Sequence, residues 1–265
     1  MTSEYHPADI DGEAASSGAD GTRGAYRLES PIRTVAFIEF PAGAAQWPMD
    51  EIKARFADSA RLQSLNALDW SSAARSMSGA ARRHVDSLGP DERPDLIVAY
   101  CTGVALALEV SKLLGGVVVA ALDPAIPTEA EVLAEANELL QRVGAGLVPA
   151  LGSPGSPGFM SHTTELLKQT LANEYPELST IDIDELVELQ TSWLAYLVHA
   201  RATSAATVDW ALTSLDAEEP PLRLLREDRF AVRRAELPAH PEVQRAFGLL
   251  ADSGNPRPAT GSRPS

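Results

Sequence analysis

Residues 94–114 constrain this chain more than any other stretch, because a strand-like segment runs into a helix-like one with almost nothing between them. Residues 96–100 (Leu-Ile-Val-Ala-Tyr) are short, apolar and largely β-branched or aromatic, which suits a strand buried on both faces. Val104, Leu108 and Leu114 then recur at helical spacing, with Ala105, Ala107 and Val110 as compatible helix residues. Only Cys101, Thr102 and Gly103 separate the two patterns. A strand that becomes a helix in three residues must turn sharply. Its apex is lifted to the carboxyl edge of the sheet, beside the amides of a helix N-terminus. Strand and helix crowd each other at such a turn, so the positions two before and two after the apex need small side chains; Ala99 and Gly103 supply them.

Cys101 is the single cysteine of 265 residues, which excludes an intramolecular disulfide and a multi-thiolate metal site, so no metal is expected. Taken alone, a free cysteine is more often a small buried apolar side chain than a nucleophile. The strand, the two small residues and the helix around it turn the balance toward a nucleophile. The length suits one sizeable core, or one domain with an inserted subdomain. Mean hydropathy of −0.10 and the lack of a run of about 18 apolar residues predict no membrane span. The first residues lack a basic-then-apolar leader, so a cytoplasmic protein is the expectation. A net charge of −15 excludes a polyanion such as nucleic acid as the natural partner.

Along the chain, residues 1–24 and 253–265 are rich in small and polar residues and are predicted to be disordered tails. The domain then spans 25–252. Residues 34–40 form a first strand, followed by a small-residue turn at 41–45, a helix over about 49–65 and another over 71–86. After the 96–114 unit, residues 115–122 form a third buried strand ending at Asp123. This alternation predicts an α/β fold with a parallel sheet and helices on both faces. Residues 128–216 carry helical spacing throughout, including a short helix at 208–212, and predict an inserted helical lid. The Pro/Gly stretch 151–158 is a hinge between two of these helices. Strand patterns return at 221–226 and 230–237, and a closing helix follows from Val243. Of the five histidines, only His240 follows a late strand, on the edge where Cys101 should emerge.

The run Ala99-Tyr100-Cys101-Thr102-Gly103 resembles the G-x-S-x-G nucleophile elbow of α/β hydrolases, with Ala at its first position and Cys at the nucleophile. With Asp123 after the next strand, a helical insertion and His240 after the last strand, residues 33–252 resemble the thioesterases of nonribosomal peptide and polyketide assembly lines. The resemblance implies an α/β-hydrolase-like, mostly parallel sheet with an inserted lid. It implies a catalytic triad of Cys101, Asp123 and His240, and an oxyanion hole from the amides of Thr102, Gly43 and Ala44. The segment around His240 lacks the Gly-x-His pattern common in that family.

The implied activity is acyl-thioester processing through a Cys acyl-enzyme, in secondary-metabolite biosynthesis. No cofactor would be bound; the acyl or aminoacyl group would arrive on the phosphopantetheine of a carrier protein. Arg223, Arg226, Arg233 and Arg234 are candidate docking residues for such an acidic carrier, or else strand-surface arginines paired with neighbouring acids. Two other classes stay open: a hydrolase-like scaffold without catalysis, and a Cys-dependent hydrolase of small esters.

Overall fold

The computed structural model describes residues 31–40, 49–68, 76–144, 152–203, 206–217 and 221–252. Both predicted tails, the 41–45 turn and residues 71–75 at the start of the helix expected over 71–86 therefore lie outside the described residues.

The described strands form a parallel six-stranded sheet in the order β2-β1-β3-β4-β6-β8. They are β1 (Thr34–Glu39), β2 (Arg61–Asn66), β3 (Leu96–Tyr100), β4 (Val118–Leu122), β6 (Trp210–Thr213) and β8 (Glu227–Arg229). A separate parallel pair joins β5 (Thr207–Val208) to β7 (Arg223–Leu224). Each central strand divides its side chains between two cores, as a period of two requires. Ile97 and Ala99, with Val119 and Ala121, face a core shared with α2 (Met77–Ser87), α3 (Val104–Leu113), α4 (Glu129–Arg142), α5 (Phe159–Glu174) and α6 (Thr180–Ala200). Leu96, Val98 and Tyr100, with Ala120 and Leu122, face a second core closed by α1 (Asp50–Phe56) and α7 (Pro241–Asp252). The fold is an α/β fold with a parallel central sheet and helices on both faces.

Four local expectations are corrected. The helix predicted over 49–65 stops at Phe56, and Arg61–Asn66 pairs along its whole length with β1. Leu62 and Leu65 are three apart, which mimics helical spacing, but this is an edge strand with little buried surface and the ladder decides its conformation. The predicted helix at 208–212 is instead β5 and β6. Trp210, Ala211 and Leu212 are all buried, and a strand covered on both faces has no alternation to separate it from a helix. Helices within 128–216 thus end at Ala200, followed by a 3-10 turn to Thr203. The last predicted strand, 230–237, is not one: β8 ends at Arg229, and the chain coils through a 3-10 turn at Arg234–Glu236.

Candidate active site

Between β3 and α3 the chain makes the expected sharp turn. Tyr100 is still extended, Cys101 takes φ of 48°, and a single 3-10 turn over Cys101–Gly103 feeds the helix. A non-glycine residue in the left-handed region is strained, and Cys101 and Asp123 are the two such residues among those described. The crowding inferred for Gly103 is present: a Cβ there would stand 3.2 Å from Cγ2 of Ile38 and 3.5 Å from the Phe40 ring. α6 is fastened onto this turn. The buried Tyr196 hydroxyl donates to the carbonyl of Thr102 at 2.7 Å, and its ring packs edge-on to Phe40.

Cys101 and Thr102 line a cavity of about 740 Å³. Ile126 and Pro127 after β4, Glu131 of α4, and Trp193 and Leu197 of α6 contribute to its other walls. Asp216 and Arg234 close the side nearest the sheet's last strands. Cys101 is only 8% exposed, and burial pushes its thiol above the usual range. The Arg234 guanidinium and a hydrogen bond from the Thr102 amide pull the other way, while Asp123 and Glu131 add to the rise. The Thr102 hydroxyl is buried against the cavity with no hydrogen-bond partner.

Asp123 directly follows β4, takes φ of 42° and is 1% exposed. Its amide donates to Leu212 of β6 at 2.8 Å. Its carboxylate accepts from the Ser214 amide at 2.6 Å and from the Ser214 hydroxyl at 2.7 Å. One oxygen also lies 3.4 Å from Nε of Arg234. Two hydrogen-bond donors and one guanidinium therefore converge on a buried carboxylate, as its burial demands.

His240 is elsewhere. It stands just before α7, its ring packs against Phe230 with centroids 5.3 Å apart, and its Nδ1 is buried without a hydrogen-bond partner. It is not among the residues lining the Cys101 cavity, nor among the groups that shift the thiol. The physical reason is the early end of β8. The coil that replaces the predicted strand delivers Arg234 to the carboxyl edge and carries His240 past it. In this arrangement Arg234, not His240, faces Asp123.

Of the residues expected to supply an oxyanion hole, Thr102 lies in the 3-10 turn after Cys101, while Gly43 and Ala44 lie outside the described residues. The arginine cluster is divided. Arg226 is committed to Asp228 at 2.8 Å and lies over the Trp210 ring, and Arg234 is committed to Asp123. Arg223 and Arg233 are exposed. Ser214 and Tyr196 were not singled out from the sequence. Ser214 follows a strand that the sequence pattern made helical, so its position at the sheet edge had no signal.

No group of His, Cys, Asp and Glu able to hold a metal occurs among the described residues, and no described helix is long and apolar enough to cross a membrane. No family profile and no curated protein sequence matches the chain. Solved structures with a similar chain path include the RedJ thioesterase of the prodiginine biosynthetic pathway in Streptomyces coelicolor. It shares 12% identity over 90% of this chain and 98% of its own, with a TM-score of 0.43. The NocB thioesterase domain shares 15% over 84% of this chain and 94% of its own, with a TM-score of 0.41. A thermophilic esterase from Thermogutta terrifontis shares 12% over 85% and 92%, with a TM-score of 0.43. At such identities these likenesses assign no activity, and function has to be argued from the site itself.

Proposed function

We propose that the chain processes acyl thioesters, taking the acyl group onto Cys101 within the cavity above the sheet. The observation that carries this reading is the strained apex: a cysteine held at φ of 48° between strand and helix, in the wall of a cavity of about 740 Å³. Strain of this kind is kept where the surrounding structure enforces it, and nucleophile turns are one such place. In the reaction the thiolate of Cys101 attacks the carbonyl carbon and the incoming C–S bond breaks. The departing thiolate takes up the proton that Cys101 gave up. The Thr102 amide would hold the developing oxyanion, a contribution on the order of 3 kcal/mol for one such donor. The product on the enzyme is itself a thioester, nearly equal in energy to the one consumed. That suits a group delivered on the phosphopantetheine of a carrier protein, with the exposed Arg223 and Arg233 available to an acidic partner.

Incubation with an acyl-N-acetylcysteamine thioester tests this. Intact-protein mass spectrometry should find one acyl adduct that is absent from Cys101→Ala. A wild-type protein that never acquires the adduct would sink the proposal.

A second reading, a binding protein without catalysis, draws on a different observation: burial disfavours the thiolate, and no imidazole among the described residues lines the cavity. It predicts that iodoacetamide alkylates Cys101 no faster than a free thiol.

A further inference from the structure

Arg234 is held beside Cys101 by contacts from three separate segments. Its carbonyl accepts from the Tyr100 hydroxyl at 3.0 Å, which ties it to the residue immediately before the cysteine. Its amide donates to the Asp216 carboxylate at 3.1 Å, and a terminal guanidinium nitrogen reaches the Asp216 carbonyl at 3.4 Å. Its Nε pairs with Asp123 at 3.4 Å yet is buried with no directed hydrogen bond. The charged groups acting on the thiol are Arg234, Asp123 and Glu131, with Tyr100 beneath; Glu135, Asp216 and Arg201 also line the cavity. Arg201 is drawn off to Glu129 at 3.4 Å. Arg234 is thus the cation whose field offsets the burial of the sulfur.

We infer that Arg234 is the electrostatic partner of Cys101 and stands where a proton acceptor would be needed, so that the site exchanges acyl groups between thiols and stalls against water. This rests on the acyl-thioester reading above. Thiol-to-thioester exchange needs a thiolate and no general acid, because one thiol's proton ends on the other. Hydrolysis of acyl-Cys101 needs a proton removed from water, and a guanidinium does not accept one. Asp123 is already occupied by both donors of Ser214 and by Arg234. None of the described histidines lines the cavity to serve as base.

Two measurements on the full chain test this, using octanoyl-N-acetylcysteamine as acyl donor and iodoacetamide as thiol probe. The wild-type adduct should pass to added cysteamine at least about tenfold faster than it yields octanoic acid. Arg234→His, which sets an imidazole against Asp123, should raise acid release by about tenfold or more. In the pH profile of alkylation, Arg234→Gln should move the midpoint up by about one unit, about tenfold in rate at fixed pH below it. Arg234→Lys should keep the wild-type midpoint, and the alkylation profile of Arg234→His, which lacks a fixed charge in the thiol range, should shift upward too and decides the matter if the Gln variant fails to fold. A wild-type adduct that yields acid as fast as it transfers overturns the inference. So does an Arg234→Gln profile superimposable on the wild type's in a protein of unchanged Tm. Failure to form any adduct removes the acyl-thioester reading itself, while the alkylation profiles still decide whether Arg234 acts on the sulfur.

Discussion

The amide and the hydroxyl of Ser214 both donate to the carboxylate of Asp123, at 2.6 and 2.7 Å, across 91 residues of sequence. This pairing joins the end of β4 to the end of β6 and determines which way the buried acid points. Ser214→Ala keeps the amide bond and loses the other, which should cost about 1 kcal/mol. Thermal unfolding should record that as a fall in Tm of about 2–4 °C. An unchanged Tm would mean that the hydroxyl is not a partner of Asp123 in solution.

Helix α6 is tied to the turn at Cys101–Gly103 through Tyr196, whose ring is fully buried. Tyr196→Phe removes the donor and leaves the Thr102 carbonyl without it, a loss on the order of 1–3 kcal/mol. Because the tie holds α6 against the turn that carries Cys101, the variant should also be alkylated faster at constant pH. A stable variant with wild-type alkylation would show that α6 does not gate access to the sulfur.

Gly103 and Gly248 make a pair of opposite sign. At Gly103 an added methyl meets Ile38 and Phe40 within 3.5 Å, so Gly103→Ala should destabilise by about 1–3 kcal/mol through overpacking. Gly248 is inside α7 with nothing within 4 Å of an added Cβ, so Gly248→Ala should stabilise by up to about 1 kcal/mol. Urea unfolding of the two variants checks both signs.

The pH dependence follows from the buried thiol. Its folded pKa lies above the unfolded value, so the folded state binds the proton more tightly. The resulting stability is fully present below the ordinary thiol range and is lost as pH rises from there through the folded pKa. Tm of the wild type should therefore fall more steeply than that of Cys101→Ala over alkaline pH. Parallel curves would mean that the sulfur is not buried as described.

The local pattern around Cys101 was enough to place the sharp strand-to-helix turn, because everything that makes it lies within a few residues. A β-branched run, a small residue, three turn residues and a helical repeat leave the backbone one economical path, and the cysteine at its apex follows. Asp123 was legible for a related reason: it directly follows a short apolar strand that lies beside β3 in register, Tyr100 opposite Leu122. Both positions are set by short-range chain geometry plus one strand pairing.

β6 could not be read in this way. Its four residues are buried on both faces, so hydrophobic periodicity carries no information, and only pairing with β4 and β8 makes it a strand. Once β6 is misread as helix, Ser214 disappears from the sheet edge.

The choice between Arg234 and His240 was decided later still. Both follow β8 in the chain before α7, and each carries a side chain able to face a carboxylate. What selects Arg234 is a set of contacts from Tyr100, Asp123 and Asp216, groups 134, 111 and 18 residues away along the chain. The sequence by itself determined the sharp turn, the cysteine at its apex and the acid one strand over, because sterics within a few residues suffice. Only the tertiary structure decided which cation or imidazole meets that acid, because that depends on where β8 stops and on long-range partners that no local spacing encodes.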